Sequence, residues 1–294
     1  MKIALVQPFW SDNEDCKHLN DPWNEDALVG HLKHVDKIAG DVDLVVFPEC
    51  YPWSGDNVGK RLKKVTLEFM KERMAAVSQA TKRTFIAGGL VLEGEDTSNV
   101  VMLSMPDCQA VQVYRKRLLW KPLERGITAG FFENDVVFHF GKHGVIPLIC
   151  SDVFGERERL TEEQETRRRL LVKQTAHLAR QNPAAPIVVC AYSRGAGVAN
   201  WENRLTDLVK QCKETSGPDR HVLYCNFASY DARTFPGGRS RMVSTGSIEN
   251  RLIGRRPHNT MNPRDECATV PGVCICDLGA NPPTQEFKPY HLPR

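Results

Sequence analysis

Short apolar runs and stripes of helical period alternate along the whole chain. Residues 2–7 and 43–47 are apolar runs rich in Val, Ile and Leu, the pattern of strands covered on both faces. Between them Leu28, Leu32, Val35 and Ile38 recur at helical spacing. A helix is predicted there, opened by Asp21-Pro22 as N-cap and first-turn proline and closed by Gly40. A second helix is predicted over 58–80, with Leu62, Val65, Phe69, Met70 and Val77 as its apolar stripe. Strands are expected at 84–92, 99–105, 109–115, 135–140 and 144–150, joined by short connections such as Met105-Pro106-Asp107. Thr161 and Gln164 form a capping-box pair that opens a helix running to about residue 181. Pro183 and Pro186 close it, and 187–190 is a further strand. A helix near 201–214 and strands near 221–227, 240–249 and 272–277 complete the pattern, with a loop rich in Arg, Pro and Asn at 254–271.

This mixture of helices, strands and hairpins describes an α/β fold with mixed sheets. Two sheets packed face to face with helices outside would accommodate so many apolar strands. The chain shows no internal repeat or clear linker. Residues 1–294 are therefore read as a single domain, with 255–294 as a loop and strand extension.

Composition narrows the function classes. The 294 residues are 41% hydrophobic and 26% charged, an ordinary globular balance. Net charge is +3, from 39 basic and 36 acidic residues, so no nucleic-acid partner is expected. Arg167-Arg168-Arg169 and the 251–256 cluster read as solvated surface. No apolar run approaches the length of a membrane span, and the N-terminus has no cleavage signature, so a cytoplasmic protein is expected. Ten scattered cysteines then read as reduced thiols. No C-x-x-C pair or zinc-like His spacing accompanies Cys274 and Cys276, and no metal is expected.

Three strand ends carry candidate chemistry. Cys150 closes the apolar run Gly144-Val-Ile-Pro-Leu-Ile149 and precedes Ser151-Asp152, so it falls at a sheet edge of the kind that binds ligands. The turn leaves the Ser151 N–H able to face a developing oxyanion. A thiol is mostly protonated at neutral pH and needs a base or a cation nearby. No histidine lies in a comparable turn, whereas Glu49 closes the run Asp43-Leu-Val-Val-Phe-Pro48 in the same manner as Cys150 closes its own. Lys116 follows Val111-Gln-Val-Tyr-Arg115 and could stabilise a thiolate and an oxyanion, with Glu124 eight residues on to orient it. Trp53, Trp120, Phe131, Phe132, Tyr192, Ser193, Arg194 and Trp201 lie near strand ends as pocket candidates. Arg194 has a planar fork suited to a carboxylate.

These segments together resemble the carbon–nitrogen hydrolase, or nitrilase, superfamily. Lys2 to Gln7 is similar to its first strand, Asp43 to Glu49 to its glutamate segment, and Tyr114-Arg-Lys116-Arg-Leu118 to its lysine segment. Gly144 to Phe154 resembles its nucleophile elbow, Asn99 the Asn before the lysine strand, and Gly238-Arg-Ser240 a late Gly-x-Ser signature. The resemblance implies a four-layer α-β-β-α sandwich of two mixed sheets, a homodimer or larger assembly, and no cofactor. It implies catalytic Glu49, Lys116 and Cys150, with Glu124 and Ser151 in support; Trp53, Tyr192 and Arg194, from the strand-end candidates, are expected to contact substrate. The expected substrate is a small amide or ureido compound cleaved with release of ammonia. Nitrile-acting members typically carry Trp-Glu after the cysteine; Ser151-Asp152 is closer to the amidase branches. The helix after Trp201 lacks the Arg-Ala-x-x-Asn pattern common in the family. Nitrile hydrolysis and a non-catalytic binding role stay open as alternatives. Lys116→Ala is expected to cripple turnover and leave the fold intact.

Overall fold

The computed structural model describes residues 1–10, 25–51, 65–119, 126–131, 136–154, 161–191, 205, 207–212, 221–226, 228–229, 241–244 and 272–289. Three strands build the centre of the first sheet: β1 (Lys2–Gln7), β3 (Leu44–Val46) and β5 (Phe85–Glu93). They run parallel, in the spatial order β1-β3-β5. Antiparallel β6 (Asp96–Met105) and β7 (Cys108–Arg115) extend the sheet on one side. On the other side β14 (Gly272–Asp277) and β15 (Thr284–Pro289) extend it, and β4 (Val65–Thr66) pairs with the end of β5.

The second sheet has the order β13-β11-β10-β9-β8. Its parallel centre is β9 (His143–Ile149), β10 (Ile187–Cys190) and β11 (His221–Cys225). Antiparallel β8 (Phe138–Phe140) and β13 (Arg241–Ser244) flank it. A two-residue ribbon pairs β2 (Phe9–Trp10) with β12 (Ala228–Ser229).

The period-2 alternation of strands sorts the first sheet's side chains into two layers. Ile3, Leu5, Leu44, Val46, Ile86, Val101 and Leu103 face the second sheet. Ala4, Val6, Val45, Phe47, Phe85, Ala87, Val100 and Met102 face helices α1 (Glu25–Ala39) and α2 (Leu67–Thr81). Strands buried on both faces have no polar side to show, which is why β1 and β3 read as continuous apolar runs. Helix α4 (Glu162–Gln181) covers the second sheet through Leu171, Val172, Ala176 and Ala179. The short helix α3 (Ser151–Phe154) packs beside it. The result is the expected four-layer α-β-β-α sandwich of two mixed sheets. Among the described residues no helix is long and apolar enough to cross a membrane.

Helix ends follow the local chemistry. The capping box at Thr161 is present in full: Gln164 N–H donates to Thr161 Oγ1 at 3.2 Å and Thr161 N–H to Gln164 Oε1 at 3.1 Å. Gly40 ends α1 at φ +65°, a conformation glycine adopts without steric cost. The expected start of α1 at Asp21-Pro22 lies outside the described residues.

Two expectations need correction. Helix α2 starts at Leu67 with Thr66 as its N-cap, and Val65 belongs to β4, not to the helix. Its buried stripe is accordingly Leu67, Met70, Met74, Val77 and Ser78, which leaves Phe69 about a third of a turn off it and 42% exposed. Of the strand expected at 135–140, the described residues 136–140 carry strand only at Phe138–Phe140, and residue 135 lies outside the described residues. In addition, β15 carries a polar sequence that no apolar alternation marks; it is an edge strand whose side chains are exposed or half-buried.

Candidate active site

Sheet direction explains why three distant strand ends meet. β6 reverses the direction of β5 and β7 reverses it again, so β3, β5 and β7 leave the first sheet at one edge. Glu49 follows β3 and Lys116 follows β7. In the second sheet β9 and β10 also run parallel, and Cys150 follows β9. The two sheets present these exits at the same end. The Cys225 thiol at the end of β11 donates to the carbonyls of Val6 and Val46 at 3.2 and 3.3 Å, at the ends of β1 and β3. A side-chain brace joins the flanks: Gln112 of β7 donates to His139 O at 2.6 Å and accepts from His139 N–H at 2.9 Å.

At that edge Lys116 Nζ lies 2.6 Å from Glu49 Oε1, and Asn99 Nδ2 donates to the same oxygen at 2.8 Å. All three residues are buried, with exposures of 4% for Glu49, 3% for Lys116 and 2% for Asn99. Their backbones are coupled as well. Lys116 N–H donates to Asn99 O at 2.8 Å, and Lys116 O accepts from Gly130 N–H at 2.8 Å. Inside the fold, with water excluded, such a pair is held by charge-assisted hydrogen bonds that are roughly twice as strong as neutral ones. Gly88 of β5 crosses beneath: a Cβ there would lie 2.0 Å from the Val100 carbonyl oxygen, so the strand requires glycine at that point.

Cys150 sits on a strained elbow. Its φ is +36°, in the left-handed region that residues with a Cβ avoid. The second sheet holds it through Cys150 N–H to Cys190 O at 2.9 Å, and the following turn through Val153 N–H to Cys150 O at 3.0 Å. Its side chain is half-buried. Ser151 donates its hydroxyl to the Leu118 carbonyl, two residues past Lys116. Ser151 N–H falls in the first turn of α3, where backbone donors have no intrahelical acceptor.

Asp152 makes the most extensive link between the Cys150 turn and the residues that follow Lys116, and the sequence pattern brings it in only as part of the elbow motif. Its Oδ1 accepts from Arg117 N–H at 2.9 Å and Leu118 N–H at 2.8 Å. Its Oδ2 accepts from Tyr114 Oη at 2.8 Å and Ile149 N–H at 3.1 Å. Burial raises the Asp152 pKa, and the hydrogen bonds and the Lys116 ammonium oppose that rise. Tyr114 is pushed well above the usual phenol range by burial and by the Asp152 charge. The Arg117 guanidinium lies 5.3 Å from the Tyr114 ring centroid and supplies a second buried cation. Cys190 is a second buried thiol at this edge; desolvation and the nearby Glu49 carboxylate raise its pKa, which keeps it protonated and inert.

The structure therefore brings Glu49, Lys116 and Asn99 into direct contact and ties the Cys150 turn to the exit of the lysine strand. Phe131, a pocket candidate, is 76% exposed beside Gly130. Glu124, Trp53, Trp120, Phe132, Tyr192, Ser193, Arg194, Trp201 and the Gly238-Arg-Ser240 segment lie outside the described residues. What the sequence pattern misses is the Tyr114–Asp152–Arg117 set. Asp152 is 38 residues from Tyr114 and 35 from Arg117 along the chain, and no local spacing marks them.

The sequence matches no protein-family model and no curated protein. Solved structures do match, and what they show is the fold, which is similar to that of an amidase from the nitrilase superfamily. An amidase of that superfamily from Nesterenkonia AN1 is similar with a TM-score of 0.60 at 16% identity, over 94% of this chain and 89% of that one. A mutant of the Nesterenkonia amidase bearing acrylamide added at its active-site cysteine gives 0.57 at 18% identity, over 83% and 85%. The glutamine-dependent NAD+ synthetase of Acinetobacter baumannii gives 0.58 at 18% identity, over 83% of this chain and 41% of that longer one.

Proposed function

We propose that the protein is a cysteine hydrolase that cleaves the C–N bond of a small amide or N-carbamoyl compound and releases ammonia. The observation that carries this reading is the buried Glu49–Lys116 pair at the sheet edge where the Cys150 elbow is clamped. A carboxylate and an ammonium at the same sheet edge as a half-buried thiol are the groups that would serve as base, electrostatic stabiliser and nucleophile. The amidase of like fold with an active-site cysteine supports the same chemistry.

In this reading Glu49 accepts the Cys150 thiol proton, and the thiolate attacks the amide carbon. The Lys116 ammonium and the Ser151 N–H stabilise the oxyanion. Glu49 returns the proton to the departing nitrogen, the C–N bond breaks and a thioester remains. Glu49 then takes a proton from water, which attacks the thioester carbon. The C–S bond breaks, the thiol is re-formed and the acid leaves. Glu124 is assigned a supporting role, and Trp53, Tyr192 and Arg194 are assigned to substrate binding.

The test is ammonia release across a panel of amides, ureido acids and nitriles, with Cys150→Ala in parallel. Ammonia from amides or ureido acids with wild type alone supports the reading. Turnover of nitriles alone, or none with Cys150 inert to mild electrophiles, overturns it.

A further inference from the structure

One carboxylate group holds both halves of the site. Lys116 comes from the first sheet and Cys150 from the second, and nothing in either strand's own ladder sets the distance between them. Asp152 bonds to the two backbone N–H groups that follow Lys116 and to the N–H of Ile149, which precedes Cys150. Its fourth bond, from Tyr114 Oη, reaches back into the strand that delivers the lysine. The carboxylate is thus committed entirely to geometry: two bonds toward one sheet's exit segment, one toward the other sheet's, and one toward a buried phenol. Its two oxygens each accept two bonds from the protein, which fills the acceptor capacity of the buried carboxylate. A carboxylate removed from water costs several kcal/mol unless it is paired and hydrogen-bonded. Here Lys116 and Arg117 balance Glu49 and Asp152, two buried cations against two buried anions.

We propose that Asp152 is a positioning residue that sets where Lys116 stands relative to Cys150, with Tyr114 as its brace. The proposal rests on the reaction proposed above, in which both groups act on the same carbon centre. Asp152→Asn is nearly isosteric and keeps an oxygen for the N–H groups of Arg117 and Leu118. Its amide nitrogen, however, would face the Ile149 N–H donor to donor, and that bond is lost. The elbow then shifts against the lysine. A displacement near 1 Å in such a site costs on the order of 100-fold in rate.

The experiment compares Asp152→Asn and Tyr114→Phe with wild type in three readouts. These are kcat and KM on the amide that wild type hydrolyses fastest, the pH midpoint of Cys150 alkylation by iodoacetamide, and the thermal midpoint. Asp152→Asn is expected to lose about 100-fold in kcat with KM changed by less than about threefold. Its alkylation midpoint is expected to move upward, because the ammonium no longer stands against the thiolate. Tyr114→Phe, which keeps the backbone bonds to Asp152, is expected to show a smaller change in the same direction. A lower thermal midpoint with unchanged kcat and alkylation midpoint would mean that Asp152 only stabilises the fold, and would overturn the proposal. Should Asp152→Asn not fold, Tyr114→Phe decides by the same readouts. A wild type that hydrolyses no amide, together with an alkylation midpoint that still moves in Asp152→Asn, would sink the proposed reaction and leave the positioning role standing.

Discussion

Lys116 Nζ and Glu49 Oε1 are 2.6 Å apart and buried together, delivered by strands that are three positions apart in the first sheet. The pair is assigned to catalysis in the proposed reaction and is also buried in the core. Removing one partner of a buried ion pair leaves the other as an uncompensated charge, which costs about 3–5 kcal/mol. The sequence alone suggests that Lys116→Ala spares the fold; the burial of both groups argues against that.

Lys116→Met, which keeps the volume, should lower turnover by at least about 100-fold and also lower the denaturant midpoint. Glu49→Gln should do the same to activity. The double variant should be less destabilised than the two single changes summed, because neither charge is then left alone. Strictly additive losses in chemical denaturation would show that the two groups are not coupled in the folded protein.

The strand-end positions of Glu49, Lys116 and Cys150 are legible in the sequence because an apolar run that stops at a reactive residue is a local signal. The capping box at Thr161 is legible for the same reason. The clamp is not. Asp152 finds its partners through sheet packing, and Tyr114 and Arg117 look from the sequence like ordinary members of a strand and a basic stretch. The phase of α2 departs from its apolar pattern because Val65 and Phe69 are apolar without lying on the buried stripe. A helix stripe is set by where the helix begins, and Thr66 moves that start. β15 leaves no apolar signal because an edge strand with exposed or half-buried side chains needs no apolar face.

Cys150 carries its φ of +36° at a cost that glycine would not bear. Cys150→Ala and Cys150→Gly should both be inactive. Glycine gains relief from the left-handed strain and gives back part of it in chain entropy, so Cys150→Gly should be more stable than Cys150→Ala by about 0.5–1 kcal/mol. Urea unfolding of the two variants measures the difference. An alanine variant that is the more stable of the two would mean that the elbow is not strained at this residue.

The capping box of α4 makes a quantitative claim of its own. Thr161 satisfies the Gln164 N–H, and Gln164 returns the bond to Thr161 N–H. Thr161→Ala should cost about 1 kcal/mol in stability, whereas Thr161→Ser should cost little, since the hydroxyl is kept. The Thr161 hydroxyl serves the helix start and not the Glu49–Lys116 pair, so kcat should be unchanged in both variants. A Thr161→Ala protein as stable as wild type would show that the cap does not hold the helix.

His31 gives the pH dependence. It is buried on α1 with its ring edge-on to Phe47 and Tyr51, in the segment that carries Glu49, at centroid distances of 6.3 and 5.5 Å. Burial, with a smaller contribution from His34, lowers its pKa from 6.5 to about 3. The folded protein therefore keeps His31 neutral where the unfolded chain would protonate it. A group whose folded pKa is depressed contributes its full stability above the unfolded value and loses it as pH falls toward the folded value. The loss should begin near pH 6.5 and continue to about pH 3. Between about pH 7.5 and 5.5 one such group removes about 1.4 kcal/mol, in a range where most carboxylates have not yet begun to titrate. Urea midpoints measured across that window should fall for wild type and stay nearly level for His31→Leu, whose apolar side chain has no proton to bind. Parallel slopes for the two proteins would mean that His31 is not the titrating group. A flat His31→Leu profile would tie the acid limit of the fold to the aromatic packing beneath the Glu49 turn.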